Sequence, residues 1–260
     1  MKKLVFLAGA KSHDPGLHEY EKDLALLKGC LEQSPAAEQL RIELHGNGWP
    51  ERVETLDDAD AIVLFSDGAD FEEERHPFLV ANRMEIIDRQ MRRGCGLVLE
   101  HYATFFPRRC QEPVFEWCGG YFDYESGPPP HHWYSQMKIE NTTPELVSPD
   151  HPILSGVIPF QINEEFYYNI RFKDHDPRLT SLLSIKDNQE SYTVAWALQR
   201  ADGARSFATT MGHFHSNLAI PGFRTLLLNG IIWAAGLDIP PGGLSAPVPS
   251  FGDDGKAGNR

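Results

Sequence analysis

An α/β fold, with a parallel β-sheet covered by helices on both faces, is predicted by the rhythm of the first half of the chain. Apolar runs at residues 4–10, 61–65 and 96–100 have the length of buried strands, and residues 41–46 alternate as a half-exposed strand does. Between them, apolar residues recur at helical spacing over residues 21–32 and from Pro77 to about Arg93. Strands and helices that alternate in this way form parallel sheets. Ligands bind such sheets beyond the carboxyl ends of the strands.

The second half of the chain is richer in strand patterns. Strands are predicted at residues 136–141, 179–185, 192–198 and 205–210, and a final helix at residues 221–235. Beyond Asp238, proline, glycine and charged residues dominate. We therefore expect a single α/β domain over residues 1–238 and a flexible tail over residues 239–260.

Composition limits the classes of function. The 260 residues include 37 acidic and 24 basic ones, a formal charge of −13, which argues against nucleic acid or an anionic membrane as a partner because both require a basic surface. The first apolar run is too short for a convincing signal peptide, and no stretch approaches the ~20 apolar residues of a membrane span. The spacing of the cysteines fits neither a zinc ribbon nor a disulfide framework, so we expect free thiols in a cytoplasmic protein.

Polar residues of catalytic type follow four of the predicted strands. Imidazoles and carboxylates at one rim of a sheet can move protons or hold a metal ion. If the strand order brings these ends together, we expect one functional site there. The residues are Lys11, Ser12, His13, His18 and Glu19 after the first strand, Ser66, Asp67 and Asp70 after the third, Glu100 and His101 after the fourth, and His213 and His215 after the last.

Two short segments suggest particular chemistry. His213 and His215 are two residues apart, so in an extended segment both face one side and could chelate a divalent metal such as zinc; His101 is a further candidate ligand. Glu164 and Glu165 lie among aromatic residues, and on a strand one of the two points inward. An inward glutamate has a raised pKa and can act as a general acid or base, whereas an edge strand would leave both carboxylates solvated.

Several common motifs are absent from the sequence. It contains no glycine-rich phosphate loop, no GxGxxG after the first strand and no GxSxG nucleophile elbow, so no nucleotide cofactor is expected. The proline-stiffened segment at residues 127–135 carries His131, His132 and Trp133. We expect this segment to form an ordered loop that could cover a site.

Taken together, several segments resemble the trehalose-utilisation, ThuA-like family. They are AGAKSHDPGLHEYE, FSDGAD, RRGCGLVLEHYA, SPDHPILSGV, INEEFYYNI, and VAWALQRADGARSFATTMGH followed by LLLNGIIWAAG. The resemblance implies a three-layer, flavodoxin-like fold similar to that of class I glutamine amidotransferases. In those enzymes the strand that matches GLVLE presents a nucleophilic cysteine at a sharp turn. Here the junction reads Glu100, His101, Tyr102, so the resemblance implies no glutamine amidotransferase activity.

The resemblance also implies a carbohydrate-related role, because ThuA-like proteins are linked to routes that oxidise a glycoside to a keto-sugar. We expect an enzyme that acts on a sugar or keto-glycoside by acid–base chemistry. Glu165 is the expected base, and His101 or His213 would polarise the carbonyl or return the proton. The expected substrate-binding residues are His13, His18, Glu100, His132 and Tyr167.

Two alternatives stay open: a non-catalytic sugar-binding or assembly module, and a metal-dependent hydrolase. The expected partner is a small-molecule carbohydrate in every case. The sequence leaves open the identity of the sugar, the presence of a metal and the formation of a homo-oligomer.

Overall fold

The computed structural model describes residues 1–125 and 134–245. The first half alternates strand and helix in the predicted order, and the second half is mostly strand. The first half contains β1 (Lys2–Ala8), α1 (Tyr20–Glu32), β2 (Leu40–His45), β3 (Ala61–Phe65), α2 (Arg83–Arg92), β4 (Gly96–Glu100) and α3 (Gln111–Cys118). The second half contains β5 (Gly120–Tyr121), β6 (Gln136–Thr142), β7 (Glu145–Leu146), β8 (Ile162–Tyr168), β9 (Arg171–Phe172), β10 (Leu179–Asp187), β11 (Glu190–Gln199), β12 (Arg205–Thr209) and α4 (Pro221–Ala234).

Within the described residues, the main sheet has eight strands in the order β2-β1-β3-β4-β12-β11-β10-β7. The five strands from β2 to β12 are parallel, and β11, β10 and β7 extend the sheet by antiparallel pairing. The α/β prediction is confirmed, although the sheet is mixed. Phe65, Glu100 and Thr209 are register partners across β3, β4 and β12, so these three strands end side by side.

Helices cover both faces of the sheet and give it three layers. Alternate residues of β3 enter different cores: Val63 packs with α1 and α4, whereas Ile62 packs with α2 and α3. The central strands β1, β3 and β4 are therefore buried on both faces, which is why they are apolar over most of their length. The pair β6–β8 forms a separate two-stranded sheet that contacts β11.

The continuous helix predicted from Pro77 to Arg93 is wrong at its start. Pro77–Leu79 is a short 3-10 turn, and α2 begins only at Arg83. His76 caps the turn by accepting a hydrogen bond from the Phe78 amide through its side chain, and the chain then becomes extended at Val80. Ala81 has a φ of +52°, which no α-helix allows.

Part of the predicted tail packs on the domain. Leu244 is fully buried, and its amide donates a hydrogen bond to Asn229 of α4. The chain therefore stays on the domain for several residues beyond Asp238. Residues 246–260 lie outside the described residues. In the parts of the chain that the structure covers, no helix has both the length and the apolar character needed to cross a membrane.

Candidate functional site

The polar residues that follow β1, β3, β4 and β12 come together at one rim of the sheet. The His18 ring lies 3.8 Å from that of His13, 4.8 Å from that of His101 and 4.6 Å from that of His213, between ring centroids. Asp67, which follows β3, lies 3.7 Å from His13 Nδ1. The parallel order of these strands produces the convergence, because it places their carboxyl ends at the same edge.

Four side chains form what we call the histidine–glutamate centre: His18, His101, Glu165 and His213. One nitrogen or oxygen atom from each lies within 4.8 Å of those of the others. Glu165 does not come from the main sheet but from β8. The centre therefore combines three histidines that follow strands of the main sheet with one carboxylate from the separate two-stranded sheet β6–β8.

His101 lies at the sharp turn that ends β4. Its φ is +51°, and it begins a short 3-10 turn, His101–Thr104. The ring is fully buried and stacks on Tyr167 at 4.2 Å between centroids. Nδ1 lies 2.6 Å from the Thr210 carbonyl oxygen, so this nitrogen carries the proton and donates it. Burial lowers the pKa of the imidazole, which leaves Nε2 with its lone pair facing the centre.

Glu164 and Glu165 have different environments. Glu165 Oε2 accepts a hydrogen bond from the Tyr167 hydroxyl at 2.9 Å and lies 3.1 Å from His213 Nδ1 and 3.6 Å from His101 Nε2. Burial raises the pKa of Glu165, but the contacts with both histidines outweigh that effect and hold it well below its ordinary value. The raised pKa expected for an inward glutamate is therefore wrong for Glu165. It belongs to Glu164, whose pKa burial raises to about 7.

Glu164 fixes the backbone that carries His213. It is fully buried and accepts hydrogen bonds from the amides of Gly212 at 3.2 Å and His213 at 3.0 Å, and from Asn217 Nδ2 at 2.9 Å. Gly212 has a φ of +138°, and a Cβ there would lie 3.1 Å from Glu100 Oε1. Only glycine suits this turn, which sets the direction of the His213 ring.

A chain of hydrogen bonds supports His18 from behind. His18 Nδ1 lies 2.8 Å from the Tyr20 hydroxyl, and that hydroxyl donates to Asp67. Because the hydroxyl proton goes to the carboxylate, His18 Nδ1 is the donor to the tyrosine oxygen. His18 Nε2 is then a lone-pair nitrogen, and it lies 2.7 Å from His213 Nδ1. Ser12 also binds Asp67, at 2.6 Å, and lies 2.8 Å from His13 Nδ1.

Fewer side chains of the site are accessible to solvent than the sequence suggested. The side chains of His13, Glu165 and His213 are 33%, 15% and 10% exposed. Behind them, His18, His101 and Tyr167 are at most 2% exposed. Glu100, an expected substrate-binding residue, is buried beneath Gly212, and burial raises its pKa well above the ordinary value. A substrate cannot reach it in this arrangement.

One further candidate lies outside the centre. His215, a candidate metal ligand, pairs through Nδ1 with the buried carboxylate of Asp23 and is not part of the centre. The prediction that His213 and His215 face the same side of an extended segment is therefore wrong, because His215 begins a 3-10 turn, His215–Ala219. His132 lies outside the described residues.

Sequence reasoning missed several residues around the centre. Tyr20 and Tyr102 look like ordinary core aromatics, yet their hydroxyls bind Asp67 and Asp70. The sequence predicts that Asp67 follows a strand at the rim of the sheet, but it predicts no particular role for this residue. The available signal was its position directly after the buried strand β3, which is where a parallel sheet presents functional groups.

A polar cleft of about 380 Å³ borders the site. It shares Ser12 and Asp67 with the surroundings of His13, and three basic and two acidic residues are among those that line it. Its volume is within the range of small-molecule sites. The polar residues that line it are Lys11, Ser12, Asn47, Asp67, Glu74, Arg75 and Arg83.

Fold and site together define a three-layer α/β protein with a histidine–glutamate centre at the carboxyl edge of its sheet. The model of the ThuA family, described as trehalose utilisation, matches residues 24–234, so the chain belongs to the ThuA family. This confirms the resemblance seen in the sequence and connects the chain with carbohydrate metabolism. Curated proteins provide no significant match.

Crystal structures of two ThuA-like proteins are similar in fold. The one from Bacteroides uniformis ATCC 8492 has a TM-score of 0.62 at 16% identity, over 91% of this chain and 92% of that one. The one from Parabacteroides merdae ATCC 43184 has a TM-score of 0.61 at 17% identity, over 95% and 98%. A glutamine amidotransferase from Thermotoga maritima aligns with a TM-score of 0.47 at 11% identity, over 90% and 96%. The two ThuA-like structures confirm the fold.

Proposed function

We propose that this chain is an enzyme of carbohydrate catabolism that acts on a sugar or keto-glycoside by acid–base chemistry at the histidine–glutamate centre. The observation that carries the proposal is the convergence of three histidines and Glu165 at the ligand-binding edge of the sheet, in a member of a trehalose-utilisation family. Convergent titratable groups with shifted pKa values are typical of active sites.

The polar cleft supports a sugar as the substrate. Its lining combines donors such as Arg75 and Arg83 with acceptors such as Asp67, and this mixture suits a ring that carries many hydroxyl groups. The acidic net charge and the spacing of the four cysteines support a cytoplasmic protein with a small-molecule partner.

His13 is the base that the geometry favours, in place of Glu165. A hydrogen next to a ketone is acidic enough for an imidazole to remove. His13 is the most exposed histidine of the site, and burial lowers its pKa, so the imidazole is neutral and able to accept a proton at pH 7. Glu165 is ionised but has a lowered pKa, which makes it the weaker base. His213 is left to polarise the carbonyl, and Glu165, 3.1 Å from His213 Nδ1, to orient that ring.

A thiol mechanism has no support in the structure. The four cysteines are buried and free, and none belongs to the centre. Burial raises the pKa of Cys95 and Cys118 to about 12, so both stay protonated and unreactive at neutral pH. The centre uses imidazoles at the turn where glutamine amidotransferases use a cysteine.

Deuterium exchange into keto-glycosides tests the proposal. The purified chain is incubated with a keto-glycoside in deuterated buffer, and NMR follows the loss of the hydrogen next to the ketone. We expect wild type to exchange this hydrogen, and His13→Gln to slow the exchange by about 10²- to 10⁴-fold, the usual contribution of one positioned acid or base.

The matched control is His175→Asn, a change at an exposed histidine far along the chain whose φ of +52° asparagine also accepts. It should exchange like wild type. Saturable sugar binding without exchange or product would contradict the proposal and establish the non-catalytic sugar-binding alternative. Unchanged exchange in His13→Gln would remove His13 from its role as base.

A further inference from the structure

We propose that the histidine–glutamate centre binds one divalent first-row transition-metal ion. One possible ligand atom from each of the four residues lies within 4.8 Å of the others. The atoms that face one another in the close contacts are His18 Nε2, His101 Nε2, His213 Nδ1 and Glu165 Oε2. The proposal rests on the geometry of these atoms and needs no assumption about the sugar.

The decisive atom is His101 Nε2. It is buried and has no hydrogen-bond partner among the described residues, a condition shared there only by single atoms of His45 and Glu140. Nδ1 of the same ring donates to the Thr210 carbonyl, so Nε2 holds a lone pair. It faces Glu165 Oε2 across 3.6 Å, which is too long for a shared proton. Two electron-rich atoms in a buried site require a positive charge between them, and a metal ion supplies it without a second proton on the His101 ring.

A hydrogen-bond network without a metal leaves this atom unexplained. His213 Nδ1 could donate to His18 Nε2 at 2.7 Å and to Glu165 at 3.1 Å, which would satisfy three of the four groups. His101 Nε2 would still face the carboxylate with no proton. Three of the six separations, 2.7, 3.1 and 3.6 Å, lie around the value of about 3.3 Å that metal–nitrogen bonds of about 2.0–2.1 Å give at tetrahedral angles, and all six are at most 4.8 Å.

The groups behind the ligands are those that metal sites use. Histidine ligands nearly always donate their second N–H to a carbonyl, a carboxylate or another fixed acceptor. His101 donates to the Thr210 carbonyl and His18 to the Tyr20 hydroxyl, which is itself fixed by Asp67. Tyr167 holds the carboxylate of Glu165 in the same way, at 2.9 Å.

The ligand set narrows the choice of metal. Three imidazoles and one carboxylate suit zinc, cobalt, iron or manganese, whereas magnesium and calcium require oxygen ligands. Glu165 and His213 are the proposed ligands that reach solvent. If the proposed function holds, a metal ion there would act as a Lewis acid on the ketone oxygen of the substrate.

Cobalt provides a direct test because its visible absorption reports the coordination of the ion. The full chain is freed of metal by a chelator and titrated with Co²⁺, with Zn²⁺ and Mg²⁺ in separate experiments. We expect one Co²⁺ per chain with visible bands of a nitrogen-containing site, displacement by Zn²⁺ and no competition by Mg²⁺. Absence of these bands, or equal competition by Mg²⁺, would overturn the proposal.

Variants identify the ligands. Glu165→Gln at the accessible wall and His101→Ala at the buried end should each weaken Co²⁺ binding by at least 10-fold, and His175→Asn should leave it unchanged. Circular dichroism checks folding. Because His101→Ala could unfold the chain, Tyr20→Phe is added: it keeps the ring but removes the support of His18, and should weaken binding by about 10- to 100-fold. Undiminished affinity in Glu165→Gln and Tyr20→Phe would contradict the ligand assignment.

The metal titration contains no sugar, so it tests the metal site independently of the proposed enzymatic function. Keto-glycoside exchange in a chain that binds no metal would remove the metal centre and keep the proposed function. One bound Co²⁺ in a chain that never exchanges a keto-glycoside would keep the metal centre and remove the function.

Discussion

Glu164 and Glu165 are neighbours in the chain, yet their carboxyl groups have different tasks. Side chains on a strand alternate, so each glutamate faces a different side of β8. The sequence predicts that one of them points inward, but not which one and not what it meets. Glu165 meets imidazoles and is held ionised, whereas Glu164 is enclosed by amide donors. Contacts with residues that are distant in the sequence cause this difference, so no local sequence pattern predicts it.

Glu164→Gln should destabilise the fold by about 1–3 kcal/mol, because the amide NH₂ would face backbone donors and leave buried groups unpaired. The free energy of unfolding in urea measures the effect. Asn163→Ala, an exposed change on the same strand, is the control and should have little effect. Equal stability of Glu164→Gln and wild type would mean that Glu164 does not hold the turn at Gly212.

Individual elements show which parts of the fold the sequence could predict. Apolar runs identify the buried strands, since a parallel strand covered on both faces is apolar throughout. The break before α2 was missed because apolar spacing continues through it, and the turn depends on a side-chain cap by His76. The antiparallel edge formed by β11, β10 and β7 was also missed, because strand order depends on long-range packing.

The turn at His76 makes stability depend on pH. The buried ring donates from Nε2 to the Ala103 carbonyl and accepts the Phe78 amide at Nδ1, so it must be neutral. Burial lowers its pKa from 6.5 to about 4. Between these two pH values the His76 ring is protonated in the unfolded chain but not in the folded one. The free energy of unfolding therefore falls as the pH drops from about 6.5 to 4, and His76 contributes about 3 kcal/mol to this loss.

Urea unfolding at several pH values checks the prediction for His76. His76→Asn keeps an acceptor for the Phe78 amide but does not titrate, so its stability should fall less steeply over the same range. The other buried histidines contribute equally to both proteins. Parallel pH profiles for wild type and His76→Asn would contradict the proposed origin of the effect.

Helix α4 packs so closely on β12 that it needs a glycine in its middle. A Cβ at Gly230 would lie 2.2 Å from Phe207 Cδ1. Gly230→Ala should therefore destabilise the protein by about 1–3 kcal/mol, although alanine is the better helix former by about 1 kcal/mol. Thermal unfolding should show the opposite sign for Gly29→Ala in α1, where a Cβ meets nothing within 4 Å. A stabilised Gly230→Ala protein would show that α4 can move away from the sheet.

The histidine–glutamate centre depends on the fold of the whole molecule, so no single segment of the sequence shows it. Its four side chains are supplied by the loop after β1, the turn after β4, the turn after β12 and strand β8, and the tertiary fold brings them together. Strand-end residues could be collected from the sequence because parallel strands share an edge. The part played by Tyr20 and Asp67, and the exclusion of His215, depend on tertiary contacts.

The conversion of a keto-glycoside by wild type and by His213→Ala tests most directly whether this centre carries the function. NMR follows product formation, with His175→Asn as the control and circular dichroism as the check on folding. The account predicts that His213→Ala lowers turnover by about 10²- to 10⁴-fold while the control keeps wild-type turnover. A folded His213→Ala protein that converts the keto-glycoside at the wild-type rate would contradict it.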